Sequence, residues 1–174
     1  MWKTMPHHFA TWRSVQVGRW MRKSAIAGLC GSVTHFFLMF AKAKLGILPA
    51  FQPYESLQAA LSLWTGFHVD QTVPWLISFL NGSTLAGFTF GRLYQHLPGK
   101  GGAVRGVIAG VLGWLAMNLF FFPLLGLGLF ATQIGSGVWP AVFSLAMMLT
   151  YSVVMGIVYD MINPSADGSS EAEY

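Results

Sequence analysis

The sequence predicts an all-α membrane protein. Four transmembrane helices form two parallel two-helix repeats, with interfacial helices at the N-terminus and in the first outer loop. Three observations predict it. Only 9% of the 174 residues are charged, 54% are hydrophobic, and mean hydropathy is +0.54; soluble domains average about 25% charged residues. The 54 residues between Arg105 and Asp160 contain no Asp, Glu, Lys or Arg. A bilayer core about 30 Å thick needs about 20 apolar residues per helix, so this interval holds two spans and a loop. Finally, the chain repeats itself at a spacing that suits a two-helix unit. This composition excludes a disordered chain, a collagen and a nucleic-acid arm, and it argues against a soluble enzyme.

Residues 1–23 form a basic, aromatic approach segment. Phe9, Trp12, Val15 and Trp20 alternate with Arg13, Gln16, Arg19, Arg22 and Lys23, a mix that suits a helix lying in the membrane interface. No small-residue cleavage site follows, so a signal peptide is not expected. Span 1 is expected over 24–48, with Lys42 and Lys44 snorkelling to the headgroups at its outer end. Next, Leu57, Ala60, Leu61 and Trp64 recur at helical spacing. Pro53 and Glu55 suit a first turn and Gly66 an end, so a short outer-surface helix is expected. Span 2 covers 73–94, and a glycine-rich turn at 99–102 leads to span 3 over 103–129, which Pro123 should bend. A turn at 133–137 leads to span 4 over 138–162. Asn163-Pro164 stops it, and 163–174 form an acidic tail expected to be flexible.

Cations set the orientation. Lys3, Arg13, Arg19, Arg22, Lys23, Arg92, Lys100 and Arg105 fall on one side, against Lys42 and Lys44 on the other. Both termini are therefore expected to be cytoplasmic. Trp20, Tyr94 and Tyr159 then lie at the inner interface, and Trp64, Trp75 and Trp139 at the outer one. Although the pI is about 9.5, the cations flank apolar spans, so an anionic leaflet is the expected partner and nucleic acid is not.

The segment from Arg22 to Gly31 matches that from Val104 to Gly113 at an offset of 82, and Gly91 and Tyr94 match Gly156 and Tyr159 at an offset of 65. Each copy begins on the same side, which makes the repeats parallel rather than inverted.

Polar residues inside the spans are candidate sites. His35 lies about 11 residues, or roughly 17 Å, into span 1, and Asn118 lies at similar depth in span 3. A His35–Asn118 hydrogen bond would satisfy both. Asn81 is a third candidate for the same polar patch, with Thr34, Thr84 and Tyr151 as weaker ones. His35 admits three readings: a structural contact, a proton or substrate contact, or an axial ligand for haem or chlorophyll. A bis-histidine haem lacks its second His, so no cofactor is expected. Gly28, Gly87, Gly91, Gly106, Gly110 and Gly156 recur at helical spacing and suit close helix packing. No metal site is expected: Cys30 is the only cysteine, and neither His7-His8 nor His68-x-Asp70 has enough neighbouring ligands. No catalytic residue stands out, because no nucleophile adjoins a base and no carboxylate pair is evident.

The run from Ile108 to Trp114, the run from Phe122 to Phe130, Tyr151, and Gly156 to Tyr159 resemble a loosely defined family of small, uncharacterised four-span membrane proteins from bacteria and archaea. The resemblance covers roughly 24–162. It implies an inner-membrane bundle without assigned activity or site residues. The sequence-level expectation is a non-catalytic accessory or assembly subunit of a larger respiratory or photosynthetic inner-membrane complex, in contact with lipid and with other membrane subunits or copies of itself. A small oligomeric transporter or channel past His35, Asn118 and Asn81 is the alternative, and a haem or chlorophyll carrier through His35 the second.

Overall fold

A computed structural model describes the backbone of residues 8–163 and side chains from residue 17 onward. The acidic segment 164–174, residues 1–7 and the His7-His8 pair as a ligand set lie outside the described residues. All regular structure among the described residues is helical.

Helix α1 runs unbroken from His8 to Leu45. The separate interfacial helix expected before Ser24 is thus continuous with the first span. No proline interrupts this stretch, and isolated glycines such as Gly18 and Gly28 cost only about 1 kcal/mol each in a helix. The helix stops three residues short of the expected Leu48, where Gly46 takes a left-handed φ of 63° and ends the hydrogen-bond ladder. The short outer helix α2 spans Pro53–Thr65, with Pro53 in its first turn and Gly66 left-handed at its end, donating its N–H to the Ser62 carbonyl.

A second helical path comprises α3 (Thr72–Asn81), a π-helical turn (Gly82–Ala86) and α4 (Gly87–Leu93). The third comprises α5 (Gly102–Ala116), a π-helical turn (Met117–Phe121) and the short α6 (Phe122–Leu124). The bend expected at Pro123 takes a different form. The helix widens one turn before the proline and ends one residue after it, not at Leu129. Proline offers no N–H to the ladder and crowds the carbonyl four residues back, and Gly126 and Gly128 then turn the chain with φ of 75° each. The last helix, α7, spans Trp139–Met161.

Three of these helical stretches are long and apolar enough to cross a membrane: Val17–Leu45, Gly102–Leu124 and Trp139–Met161. The Thr72–Leu93 path is diluted at its centre by Asn81-Gly82-Ser83-Thr84. Helix α7 packs along both α1 and α5, while α1 also packs against α4 and its preceding π turn. One core cluster joins Ala27, Phe90, Tyr94, Tyr151, Met155 and Tyr159. A second, around the α2 loop and the end of α6, joins Phe51, Leu57, Phe122, Leu125, Leu127 and Ala131. Large apolar side chains face outward, among them Phe37 at 65% and Phe120 at 74% exposure. Such a surface suits hydrocarbon rather than water.

Candidate functional site: polar contacts within and at the ends of the helices

His35 packs edge-on against Tyr151, with ring centroids 6.3 Å apart. The Tyr151 hydroxyl donates to the Gly82 carbonyl at 2.7 Å. Gly82 lies in the first π turn, and a Cβ there would meet the Ser32 hydroxyl at 2.5 Å and come near the Tyr151 ring. The polar contact inside the bundle therefore joins α1, α7 and the Thr72–Leu93 path through His35, Ser32, Tyr151 and Gly82.

Asn118 is elsewhere. It is fully buried in the second π turn, and its amide nitrogen donates to the Trp114 carbonyl at 2.8 Å. Its oxygen meets no donor. The nearby Trp114 indole N–H is shared between the Ala141 carbonyl and the Ser144 hydroxyl, each at 3.1 Å. The expected His35–Asn118 bond does not form. Equal depth placed the two residues at one level, but α1 and α5 both pack against α7, which intervenes. Asn81 joins neither group: it is exposed, and its side chain makes no cap bond. The three residues of the expected polar patch thus have three different surroundings. Ser83, Thr84 and Thr34 return their hydroxyls to carbonyls four residues back, at 2.8, 2.6 and 3.0 Å, a common way to satisfy a hydroxyl in a helix.

The glycines lie in two seams. A Cβ on Gly28 would fall 2.6 Å from the Ser83 carbonyl oxygen, and one on Gly87 would fall 2.7 Å from that of Ser24. Gly91 faces the Ser24 hydroxyl. Between α5 and α7, a Cβ on Gly106 would fall 2.5 Å from the Ser152 carbonyl oxygen. Gly110 faces Ser152 and Leu149 side chains, and Gly102 and Gly156 face each other's backbones. Where no hydrophobic effect drives association, such close approach supplies the packing energy.

Residues that sequence reasoning missed close the ends of the bundle. Asp160 accepts the Tyr94 hydroxyl at 2.5 Å and the Gly102 N–H at 3.1 Å. The latter bond satisfies an otherwise free donor at the start of α5. The Arg105 guanidinium lies 4.5 Å from the centre of the Tyr94 ring. The available signal was that Asp160 is the first charge after a long neutral run. At the other end Lys42 is buried, at 3% exposure, and its ammonium donates to the Phe51 carbonyl at 2.7 Å. The expected snorkelling of Lys42 does not occur, because the 46–52 loop folds back over it and supplies the acceptor. Lys44 instead lies over the Phe40 ring at 5.6 Å. His68 and Asp70 are exposed. Among the described residues no three His, Cys, Asp or Glu side chains converge as a metal site.

This architecture is that of an all-helical protein whose long apolar helices are compatible with a membrane. The chain belongs to a family of unknown function, DUF6789, whose model matches residues 19–170. No curated protein and no solved structure matches it.

Proposed function

We propose that this protein is a non-catalytic, four-span membrane protein that docks laterally onto a larger inner-membrane complex as an accessory or assembly subunit. Asn81 carries the reading. It lies midway along the Thr72–Leu93 path with its side chain exposed. Leu80 and Leu85, exposed beside it at 51% and 65%, suit lipid; a primary amide does not. An amide without a partner in hydrocarbon costs several kcal/mol, whereas an interhelical hydrogen bond relieves that cost. The Asn81 face is therefore the docking seam.

The helical continuity of Thr72–Leu93 supports its counting as a span. The two-repeat reading draws support from matched contacts. Ser24 meets Gly87 as Gly106 meets Ser152, and Gly28 meets Ser83 and Gly87 where Gly110 meets Ser152. The matched Tyr94 and Tyr159 rings pack together at 4.7 Å. The cation distribution supports an orientation with both termini in the cytoplasm.

Purification in mild detergent, with analysis of co-migrating chains, tests the reading. A larger assembly containing other membrane proteins is expected, and Asn81→Leu should release the chain from it. A monodisperse monomer, indifferent to that substitution, overturns the proposal. An assembly of this chain alone replaces the subunit reading with self-association. Absorption of the same sample checks the haem or chlorophyll alternative, which requires a band lost in His35→Ala.

A further inference from the structure

We propose that the cytoplasmic end of the bundle binds the phosphate of an anionic phospholipid, in a cleft between the start of the α1 span and the end of α7. The inference rests on the membrane reading above. The cleft is shallow and open to the surface, has a volume of about 250 Å³ and is lined by Arg19, Trp20, Lys23, Tyr159 and Asn163. Arg19 and Lys23 are four residues apart, so they share one face of α1. Like charges at that spacing repel; an anion between them turns repulsion into attraction. None of the lining residues is acidic.

Among the described residues, the nearby groups leave that charge uncompensated. The Lys23 ammonium donates to the neutral Asn163 side-chain oxygen at 2.7 Å, which uses one of its three donors. Asp160, three residues before Asn163, directs its carboxylate to Tyr94 and Gly102 instead.

Other features select a lipid rather than a free anion. Trp20 and Tyr159 form aromatic walls, as side chains at headgroup level do, and Trp20 is steadied by Phe88, with ring centroids 6.0 Å apart. The volume is below the roughly 300–1,000 Å³ of sites that enclose a drug-sized molecule, so a headgroup fits while its chains stay outside. Ile26, Leu29 and Val33, exposed at 43%, 44% and 39%, continue from this end of α1 and offer those chains an apolar track. Basic pockets between spans on the cytoplasmic side are suited to acidic headgroups.

The test uses the full chain in detergent, titrated separately with phosphatidylglycerol, phosphatidylcholine and inorganic phosphate, with native mass spectrometry counting bound molecules. Phosphatidylglycerol should bind with clear preference. Arg19→Gln and Lys23→Gln should each weaken it about fivefold, and together about twenty-five-fold, as the contribution of one cation near a membrane implies. Arg22→Gln, an exposed neighbour outside the cleft, should change it less than twofold. The charge-retaining pair Arg19→Lys and Lys23→Arg should keep binding, which separates lost charge from lost folding. Equal binding of the two lipids, equal loss in Arg22→Gln, or equal binding of inorganic phosphate overturns the proposal. Carbonate extraction of the source membranes separates the two readings. Release by carbonate sinks the membrane reading itself, whereas retention with no lipid preference sinks only the site.

Discussion

Asn118 and Tyr151 are both buried polar residues in apolar surroundings, and they differ in how completely they are satisfied. The Tyr151 hydroxyl reaches a carbonyl on another helix, so it ties two elements together. Asn118 spends its one bond on its own helix and leaves an acceptor unpaired. A buried unpaired acceptor costs about 1–3 kcal/mol, while an average hydrogen bond returns about 1 kcal/mol. Asn118→Leu, which keeps the branched shape of the side chain without its polar atoms, should therefore leave the thermal midpoint in detergent unchanged or raise it. Tyr151→Phe orphans no buried donor but releases the Gly82 carbonyl from its cross-helix partner, and should lower it, by an amount equivalent to about 1 kcal/mol. A fall in Asn118→Leu larger than that in Tyr151→Phe would show that the asparagine oxygen has a partner after all.

The packing of the helices rests on backbone proximity at a few glycines. Gly106 and Gly113 lie on the same helix but differ in what a methyl group would meet. At Gly106 it would fall 2.5 Å from a backbone carbonyl oxygen, which cannot move without its helix; at Gly113 it would lie 3.5 Å from the end of Met148. Gly106→Ala should thus destabilise by about 1–3 kcal/mol through overpacking. Gly113→Ala should be neutral or stabilising by up to about 1 kcal/mol, since alanine is the better helix former; thermal unfolding in detergent compares them. A second element-scale expectation concerns the start of α3. Asp70 accepts the Thr72 hydroxyl and N–H at 2.6 and 2.8 Å, and these bonds, hydroxyl first, hold its carboxyl below the ordinary aspartate range. A depressed folded-state value stabilises above the ordinary pKa of about 4, and that stabilisation fades as pH falls through the folded-state value. The protection factor of the Thr72 amide, taken against its intrinsic exchange rate at each pH, should therefore fall on acidification in the natural chain, and this step should be absent in Asp70→Asn. Local chemistry of this kind is legible in sequence: Pro53 and Gly66 bound α2 because each acts on its own backbone. The π turns at 82–86 and 117–121 are not legible, because no residue type demands them. Nor is the order of helices around the bundle. Depth along a helix can be counted from residue numbers, which put His35 and Asn118 level, but nothing in the sequence said that α7 stands between them.

For the molecule as a whole, the distribution of positive charge is more lopsided in three dimensions than along the chain. The sequence assigns two cations to the outer end, Lys42 and Lys44, but Lys42 is buried and bonded to the Phe51 carbonyl. Only Lys44 is left to face that membrane surface. At the opposite end Arg19, Arg22, Arg92 and Lys100 are exposed, Lys23 is half-buried in the cleft, and Arg105 lies against Tyr94. Cations near the ends of spans resist translocation, so this arrangement is what the proposed orientation, with both termini inside, requires. The outer end instead carries exposed Trp64 and Trp139, at 53% and 65%, side chains that favour the interface without fixing its polarity. A reporter active only in the cytoplasm, inserted at Gly135 in the exposed loop before α7, should stay silent, and the same reporter at Lys100 should be active. Moving charge should weaken that polarity: Arg92→Gln with Lys100→Gln, combined with new lysines at Gln133 and Gly135, should raise the Gly135 signal at the expense of the Lys100 signal. If the natural chain gives activity at Gly135, the bundle is inverted. The Arg19–Lys23 cleft would then face the outer leaflet, and the anionic-lipid proposal would fail with the orientation.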